Sequence, residues 1–173
     1  MKKLFTLFIA ILFIAILFNS CKKSSDNKPA TTAISMKFTS NDTVISFNSC
    51  TASTGNINGT DAILIIGDNI TNPVNSFEIV IVHSIATLKA GQSYPAGTAI
   101  GQAESSRLFF DPIPPGDFIT QPGNPEGIVT IAGVTSTTIT GTFSGKLYDE
   151  NDIRGTTLKY NITNGSFTAT IVN

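Results

Sequence analysis

Residues 76–83 read Ser76-Phe77-Glu78-Ile79-Val80-Ile81-Val82-His83. Side chains alternate between the two sides of a strand. Phe77, Ile79 and Ile81 therefore share one face, and Val80 and Val82 lie on the other. A segment apolar on both faces reads as a central strand covered on both sides. Residues 138–148 carry the complementary pattern. There Ile139, Gly141, Phe143 and Gly145 alternate with Thr138, Thr140, Thr142 and Ser144. One apolar face and one hydroxyl face predict a half-exposed strand.

The same near-two periodicity extends outward over most of the chain. β-Branched and aromatic residues fall in short runs bounded by Gly, Asn, Asp and Pro, which is the strand pattern. The predicted strands are 33–39, 43–52, 61–67, 76–87, 107–111, 127–132, 138–148 and 157–172. The last has an Asn164-Gly165 step suited to a turn or bulge. The best helical stripe outside the N-terminus is 100–108, and Gly101 weakens it. Many short strands without helices predict an all-β, antiparallel β-sandwich, with a small up-and-down β-barrel as the alternative.

The chain has 173 residues, the size of one ordinary domain, with 11 Lys+Arg against 12 Asp+Glu. Charged residues make up 13%, about half the usual roughly 25%. A net charge of -1 leaves no electrostatic footprint for nucleic acid. One His and two Cys are too few for a His/Cys metal centre, which needs three or four ligands, so no metal or cofactor is expected.

The N-terminus reads as an address. Lys2 and Lys3 precede an uncharged apolar run from Leu4 to Phe18, then Asn19-Ser20-Cys21. A basic start, a short apolar stretch and a small residue before the cut define a secretory signal. The run is shorter than the about 20 residues of a membrane-spanning helix. Three segments follow: a signal peptide, 1–20; Cys21 with a polar tether, 21–32; and a single β-domain, 33–173. Removing the signal takes two lysines and no acid, so the net charge moves from -1 to -3.

Leu17-Phe18-Asn19-Ser20-Cys21 resembles a bacterial lipobox, and Cys21-Lys22-Lys23-Ser24-Ser25-Asp26 looks like the start of lipoproteins of the Bacteroidota. Within the domain, Ile34-Ser35-Met36-Lys37-Phe38, Gly91-Gln92-Ser93-Tyr94 and Gly127-Ile128-Val129-Thr130-Ile131 are similar to segments of small uncharacterised lipoproteins of that phylum. So are Ile139-Thr140-Gly141-Thr142-Phe143-Ser144-Gly145 and Ile162-Thr163-Asn164-Gly165-Ser166-Phe167. The resemblance implies lipidation of Cys21, a membrane partner through that lipid, and a sandwich-like domain in the outer-membrane envelope. It carries no activity and leaves the leaflet open. Two or more acyl chains anchor firmly, since each buried CH₂ contributes about 0.8 kcal/mol.

Few groups can carry chemistry. With Cys21 lipidated, Cys50 has no disulfide partner and reads as a small buried hydrophobe. His83 is in phase with Phe77, Ile79 and Ile81, and the sequence supplies it no triad or metal partner. The acidic run 149–155 lacks EF-hand spacing and reads as a polar hairpin loop.

Residues 111–127 are the most unusual segment, holding Pro112, Pro114, Pro115, Pro122 and Pro125 of the chain's 8 prolines. Proline stiffens a loop by limiting its unfolded freedom. Long loops often carry function, so Asp111, Asp117, Phe118 and Glu126 are candidate binding-loop residues. Packing of Phe118 and Ile119 onto the sheet is the plainer reading. Asp42-Thr43-Val44 resembles the O-glycosylation acceptor of exported Bacteroidota proteins, which marks Thr43.

The expectation is a lipid-anchored, non-enzymatic envelope protein with a binding or accessory structural role and a protein or glycan partner. One alternative is a glycan- or peptide-binding module of a nutrient-uptake system, contacting ligand through Tyr94, Tyr148 or Tyr160. The other is a hydrolase built on Asp111, Asp117 or Glu126.

Overall fold

A computed structural model describes residues 33–69, 75–97, 102–112, 116–121, 123, 126–152 and 154–172. The signal, Cys21 and the tether lie outside these residues, as do Pro114, Pro115, Pro122 and Pro125. Among the described residues, no helix is long and apolar enough to cross a membrane.

The domain is all-β. Its strands are β1 Ser35–Ser40, β2 Thr43–Phe47, β3 Ser49–Ile57, β4 Thr60–Asp68, β5 Ser76–Val82, β6 Ser93–Ala96, β7 Ser105–Asp111, β8 Phe118–Ile119, β9 Gly127–Val134, β10 Thr138–Asp149 and β11 Leu158–Ile171. A 3-10 turn, Ile85–Thr87, follows β5. The predicted strand 76–87 therefore ends five residues early, at Val82. The predicted strand 43–52 divides at Asn48 into β2 and β3.

Tight turns fix the local registers. Asn41 and Asn58 hold φ of 48° and 51°, and their followers Asp42 and Gly59 hold 62° and 85°. Two successive positive φ values match the primed two-residue turns that suit twisted hairpins, and Asn, Asp and Gly tolerate them best. They join β1 to β2 and β3 to β4. In β11, Asn164 sits at φ 52° and the β10 register slips between Phe143 and Gly145. The Asn164-Gly165 step is thus a bulge within one continuous strand.

All eleven strands belong to one sheet, in the order β2-β1-β11-β3-β4-β5-β7-β6-β9-β10-β8, with further β11–β10 and β7–β8 pairings. Pairing is antiparallel except at two short contacts, β11 with β3 and β6 with β7. The ladder folds over a single core. Phe38 of β1 lies 4.7 Å from Phe77 of β5, and Phe77 lies 5.0 Å from Phe143 of β10, measured between ring centroids. These strands are not ladder neighbours, so the rings meet across the core. The result is the two-layer arrangement of a sandwich built from one continuous ladder.

Phe38 is the hub of this core. Its ring also meets Phe110 edge-on at 5.5 Å and Phe143 at 6.0 Å. Edge-to-face and offset pairs each add about 0.5–1.5 kcal/mol beyond area burial. Cys50, Ala52, Ile63, Ile65, Ile79, Leu108, Val129 and Ile131 complete the wall, all fully buried. Cys50 is a free thiol, pushed up to about 12 by burial and secondarily by the Asp68 carboxylate. A thiol held protonated is a poor nucleophile.

Candidate functional site

The outer side of β3, β4, β5 and β7 is unusually apolar for a surface. Cross-strand partners share a face, so the registers define its rows. One row runs Ser53–Leu64–Val80–Arg107. The next runs Thr51–Ile66–Glu78–Phe109, extending through Ile119 of β8 to Tyr148 of β10. Val80 and Val82 point outward here, yet they are only 8% and 4% exposed. The both-faces-covered reading of residues 76–83 is therefore met in an unexpected way. Longer side chains on neighbouring strands shade the valines. Ile57, Arg107 and Phe109 surround them around a depression of about 40 Å³. Gly55 leaves room for Leu64 to lie across the sheet, since a Cβ there would meet Leu64 Cδ1 at 2.5 Å.

Arg107 and Glu78 stand amid this apolar face, with Asp68 and Asp111 in the row beyond Glu78. Arg107 places its guanidinium carbon 5.8 Å from the Phe109 ring centroid, a cation–π contact of about 0.5–1 kcal/mol at an exposed site. Its Nε is buried and donates to nothing. Burial lowers the Arg107 pKa and raises that of Glu78. In both cases desolvation disfavours the charged form.

At Val82 the face runs into a polar groove of about 370 Å³, lined by Thr60, Asp61, His83, Ser84, Thr87 and Glu104, among others. His83 stands 3.7 Å from Glu104 through Nδ1 and 3.1 Å from Thr87 Oγ1 through Nε2. The fold thus supplies the hydroxyl and carboxylate neighbours that the sequence left unidentified. Glu104 comes from the turn before β7, where its amide donates to Val82 O at 3.0 Å and its φ is 62°. Thr87 comes from the 3-10 turn.

The arrangement differs from that of a nucleophile and its base. Thr87 Oγ1 also lies 3.3 Å from Ser84 O, an acceptor that competes with the imidazole for its proton. A general base must accept the hydroxyl proton. A 3.7 Å separation is also too long for a hydrogen bond. Groups of three or more His, Cys, Asp or Glu placed to hold a metal ion are absent among the described residues.

The candidate loop residues disperse. Phe118 turns into the core, 9% exposed, with its ring 4.9 Å from Tyr160. Its pairing with Phe110 on an inward-facing row leaves it no ligand-facing surface. Asp111 is exposed at the end of β7, opposite Ser76. Asp117 is exposed, and its carbonyl accepts from the Glu150 amide at 3.0 Å. Glu126 accepts from Lys146 Nζ at 2.8 Å and from the Tyr148 hydroxyl, instead of meeting Asp111 or Asp117. Those two donors hold its carboxyl below the usual range, which suits a fixed anion and opposes a general acid.

The tyrosines do not form an open stacking platform. Tyr94 is fully buried, with its hydroxyl unpartnered. Tyr148 is 6% exposed and committed to Glu126. Tyr160 is half-buried between Phe110 and Phe118. Thr43 is exposed at the start of β2, beside the tight turn at Asp42.

In the acidic run, the Asp152 carboxylate accepts from the Thr156 and Thr157 amides, both at 2.9 Å. These bonds hold its pKa down, Thr157 contributing most. They also commit its oxygens to the turn.

Two sequence features mark the outer face: Val80 and Val82 in phase opposite the core, and Asn58-Gly59 between Ile57 and Thr60, which brings β3 beside β4. No family model, curated protein or solved structure matches this chain.

Proposed function

We propose that this protein is a lipid-anchored domain of the bacterial envelope, held to the outer membrane through Cys21, and that it acts by binding a protein partner without catalysis. The observation that carries the reading is the outer face of β4, β5 and β7. Leu64, Val80 and Phe109 form an apolar surface there, with Arg107 and Glu78 held partly out of water. Interface centres combine apolar and aromatic contact with arginine in this way.

The test is photo-crosslinking of the full-length chain in its own cells, with a photoreactive residue at Leu64 or, as a control, at Lys37. Lys37 is exposed on β1, away from this face. Adducts from position 64 and none from position 37 support the reading. Equal labelling at both positions, or none at either, rejects this face as the binding surface. Turnover of glycosidic or peptide bonds by the purified protein would overturn the non-catalytic part.

One observation favours a second reading, a glycan- or peptide-binding module for nutrient uptake. The groove beside Val82 brings Asp61, His83, Thr87 and Glu104 together as hydrogen-bonding groups. A glycan array on which Asp61→Asn and His83→Ala leave every signal unchanged would remove it.

A further inference from the structure

The outer face proposed above as the binding surface carries more anions than cations, and that restricts its partner. We propose that the partner presents a protein segment rich in Lys or Arg, its cations meeting the carboxylates of Asp68, Glu78 and Asp111 while its apolar side chains cover Leu64, Val80 and Phe109. This rests on the reading of that face as the binding surface.

The argument begins with the register. Ser76 stands opposite Asp111. Gly67 pairs with Phe77, so the residues beside them, Asp68 and Ser76, are cross-strand neighbours too. Asp68 and Asp111 therefore flank Ser76, about 10 Å apart at two strand spacings. Glu78, two residues beyond Ser76, is the diagonal neighbour of both, about 7–8 Å from each. Asp117 precedes Phe118, the partner of Phe110, and its carbonyl accepts from the Glu150 amide. Both of these acids are exposed and extend the anionic row along the ends of β8 and β10. Arg107, opposite Val80 and two rows away from Asp68 and Asp111, is the cation among these rows of β4, β5 and β7.

The chain itself leaves these charges unmet. Among the described residues, the ion pairs are His83 with Glu104 and Lys146 with Glu126. Asp68 Oδ1 is buried and accepts no hydrogen bond, and the buried Arg107 Nε–H finds no acceptor. Like charges on neighbouring strands repel, and an unpaired buried polar atom bears its desolvation cost in full. An occupant that relieves both conditions brings cations for the acids and an acceptor for Arg107. A peptide segment has both, in its basic side chains and its backbone carbonyls. Lys or Arg at alternate positions of an extended segment lie about 7 Å apart, which matches the spacing of the carboxylates. A single metal ion does not match it: the acids are spread over three strands, and groups of His, Cys, Asp or Glu placed to hold one are absent among the described residues. Leu64, Ile66, Val80 and Phe109 supply the apolar centre beside this charged row, and apolar centre with polar rim is the usual anatomy of a protein–protein interface.

The test titrates the full-length chain, held in a non-ionic detergent, into two fluorescein-labelled peptides of about twelve residues, long enough to cross the face when extended. One alternates Lys with Val and the other Glu with Val, and fluorescence anisotropy is read against detergent alone. The Lys peptide is expected to bind and the Glu peptide to stay free. Asp68→Asn and Asp111→Asn should each raise the Kd of the Lys peptide at least about threefold. Asp42→Asn removes one charge from the exposed turn between β1 and β2 and should leave that Kd unchanged.

Equal binding of the two peptides overturns the proposal, as does no binding of the Lys peptide at about 1 mM protein. So do equal losses in Asp42→Asn and Asp111→Asn, because net charge alone would then explain the attraction. Should Asp68→Asn fail to fold, as its circular dichroism would reveal, Asp111→Asn decides, its side chain being exposed at the end of β7. The photoreactive group at position 64 separates this proposal from the reading beneath it. A cross-linked partner segment with more Lys and Arg than Asp and Glu supports the proposal. An acidic or uncharged segment overturns it while leaving the binding surface intact, and no adduct overturns both.

Discussion

Phe143 and Gly165 face each other across β10 and β11, and the phenyl ring occupies the space that a side chain at 165 would need. A Cβ on Gly165 would lie 2.7 Å from the ring and closer still to the Phe143 carbonyl oxygen. The neighbouring pair repeats the device with the roles exchanged. Gly141 stands opposite Phe167, and a Cβ there would meet the Phe167 ring and, at 2.6 Å, the Thr130 carbonyl. Small residues on each strand thus make room for the rings of the other, on the inward face that holds the aromatic core.

Gly165→Ala is accordingly expected to destabilise the domain by about 1–3 kcal/mol, the cost of overpacking a filled site. The backbone carbonyl cannot yield as a flexible side chain would, so relief requires the bulge itself to shift. Thermal unfolding followed by circular dichroism checks this. A melting temperature equal to that of wild type would show that the strand can move aside at no cost.

Stability should fall on the alkaline side. Cys50 is raised from 9.0 to about 12, and Tyr94 and Tyr148 from 10.0 to about 12. Burial is the first cause for Cys50 and Tyr94, whereas for Tyr148 it is the hydrogen bond to Glu126. The folded state keeps these protons while the unfolded chain releases them. Stability from these groups is therefore fully present below about pH 9 and is lost as pH rises toward about 12. Urea midpoints measured across that range should decline, and Cys50→Ala should flatten the first part of the decline.

Glu126→Gln tests the contact with Lys146 and Tyr148 directly. A neutral amide no longer opposes phenolate formation, so Tyr148 should titrate closer to 10 than to 12. Spectrophotometric titration should show one tyrosine of the chain's 3 moving down. An unchanged curve would mean that Glu126 does not govern Tyr148.

Lipidation of Cys21 predicts a mature chain that begins at that residue and carries acyl mass. Cys21→Ala should abolish both the added mass and membrane retention. Intact-mass measurement of membrane-extracted protein is the check. A chain cut elsewhere and unmodified would make the protein a soluble secreted one and return Cys50 to consideration as a disulfide partner.

Individual elements show where sequence reading reached and where it stopped. Period-two alternation located β5, β9, β10 and β11 because it depends only on neighbours within a strand. Two strands escaped it. β6 is four residues long and contains Pro95, and β8 has two residues, both too short to show a period. Of the two readings of Phe118, packing onto the sheet is the one realised, because β8 inserts between β7 and β10 and turns that ring toward Tyr160. Tyr94 went from candidate contact to buried core for a similar reason, its strand being paired with β9. In the sequence His83 stands alone, since its neighbour Glu104 lies twenty-one residues away and only the β5–β7 pairing unites them.

By itself the sequence determined the all-β class, the alternation of inward and outward residues, the turn at Asn164-Gly165 as a break in register, and the scarcity of catalytic groups. All are local properties of composition and spacing. The tertiary structure decided which strands lie side by side, and through that the apolar outer face with Arg107 and Glu78, the groove at His83 and the Glu126 contact. Those features join residues far apart in sequence. Their positions follow from how one aromatic core can be enclosed by the whole ladder at once, and no single segment encodes that.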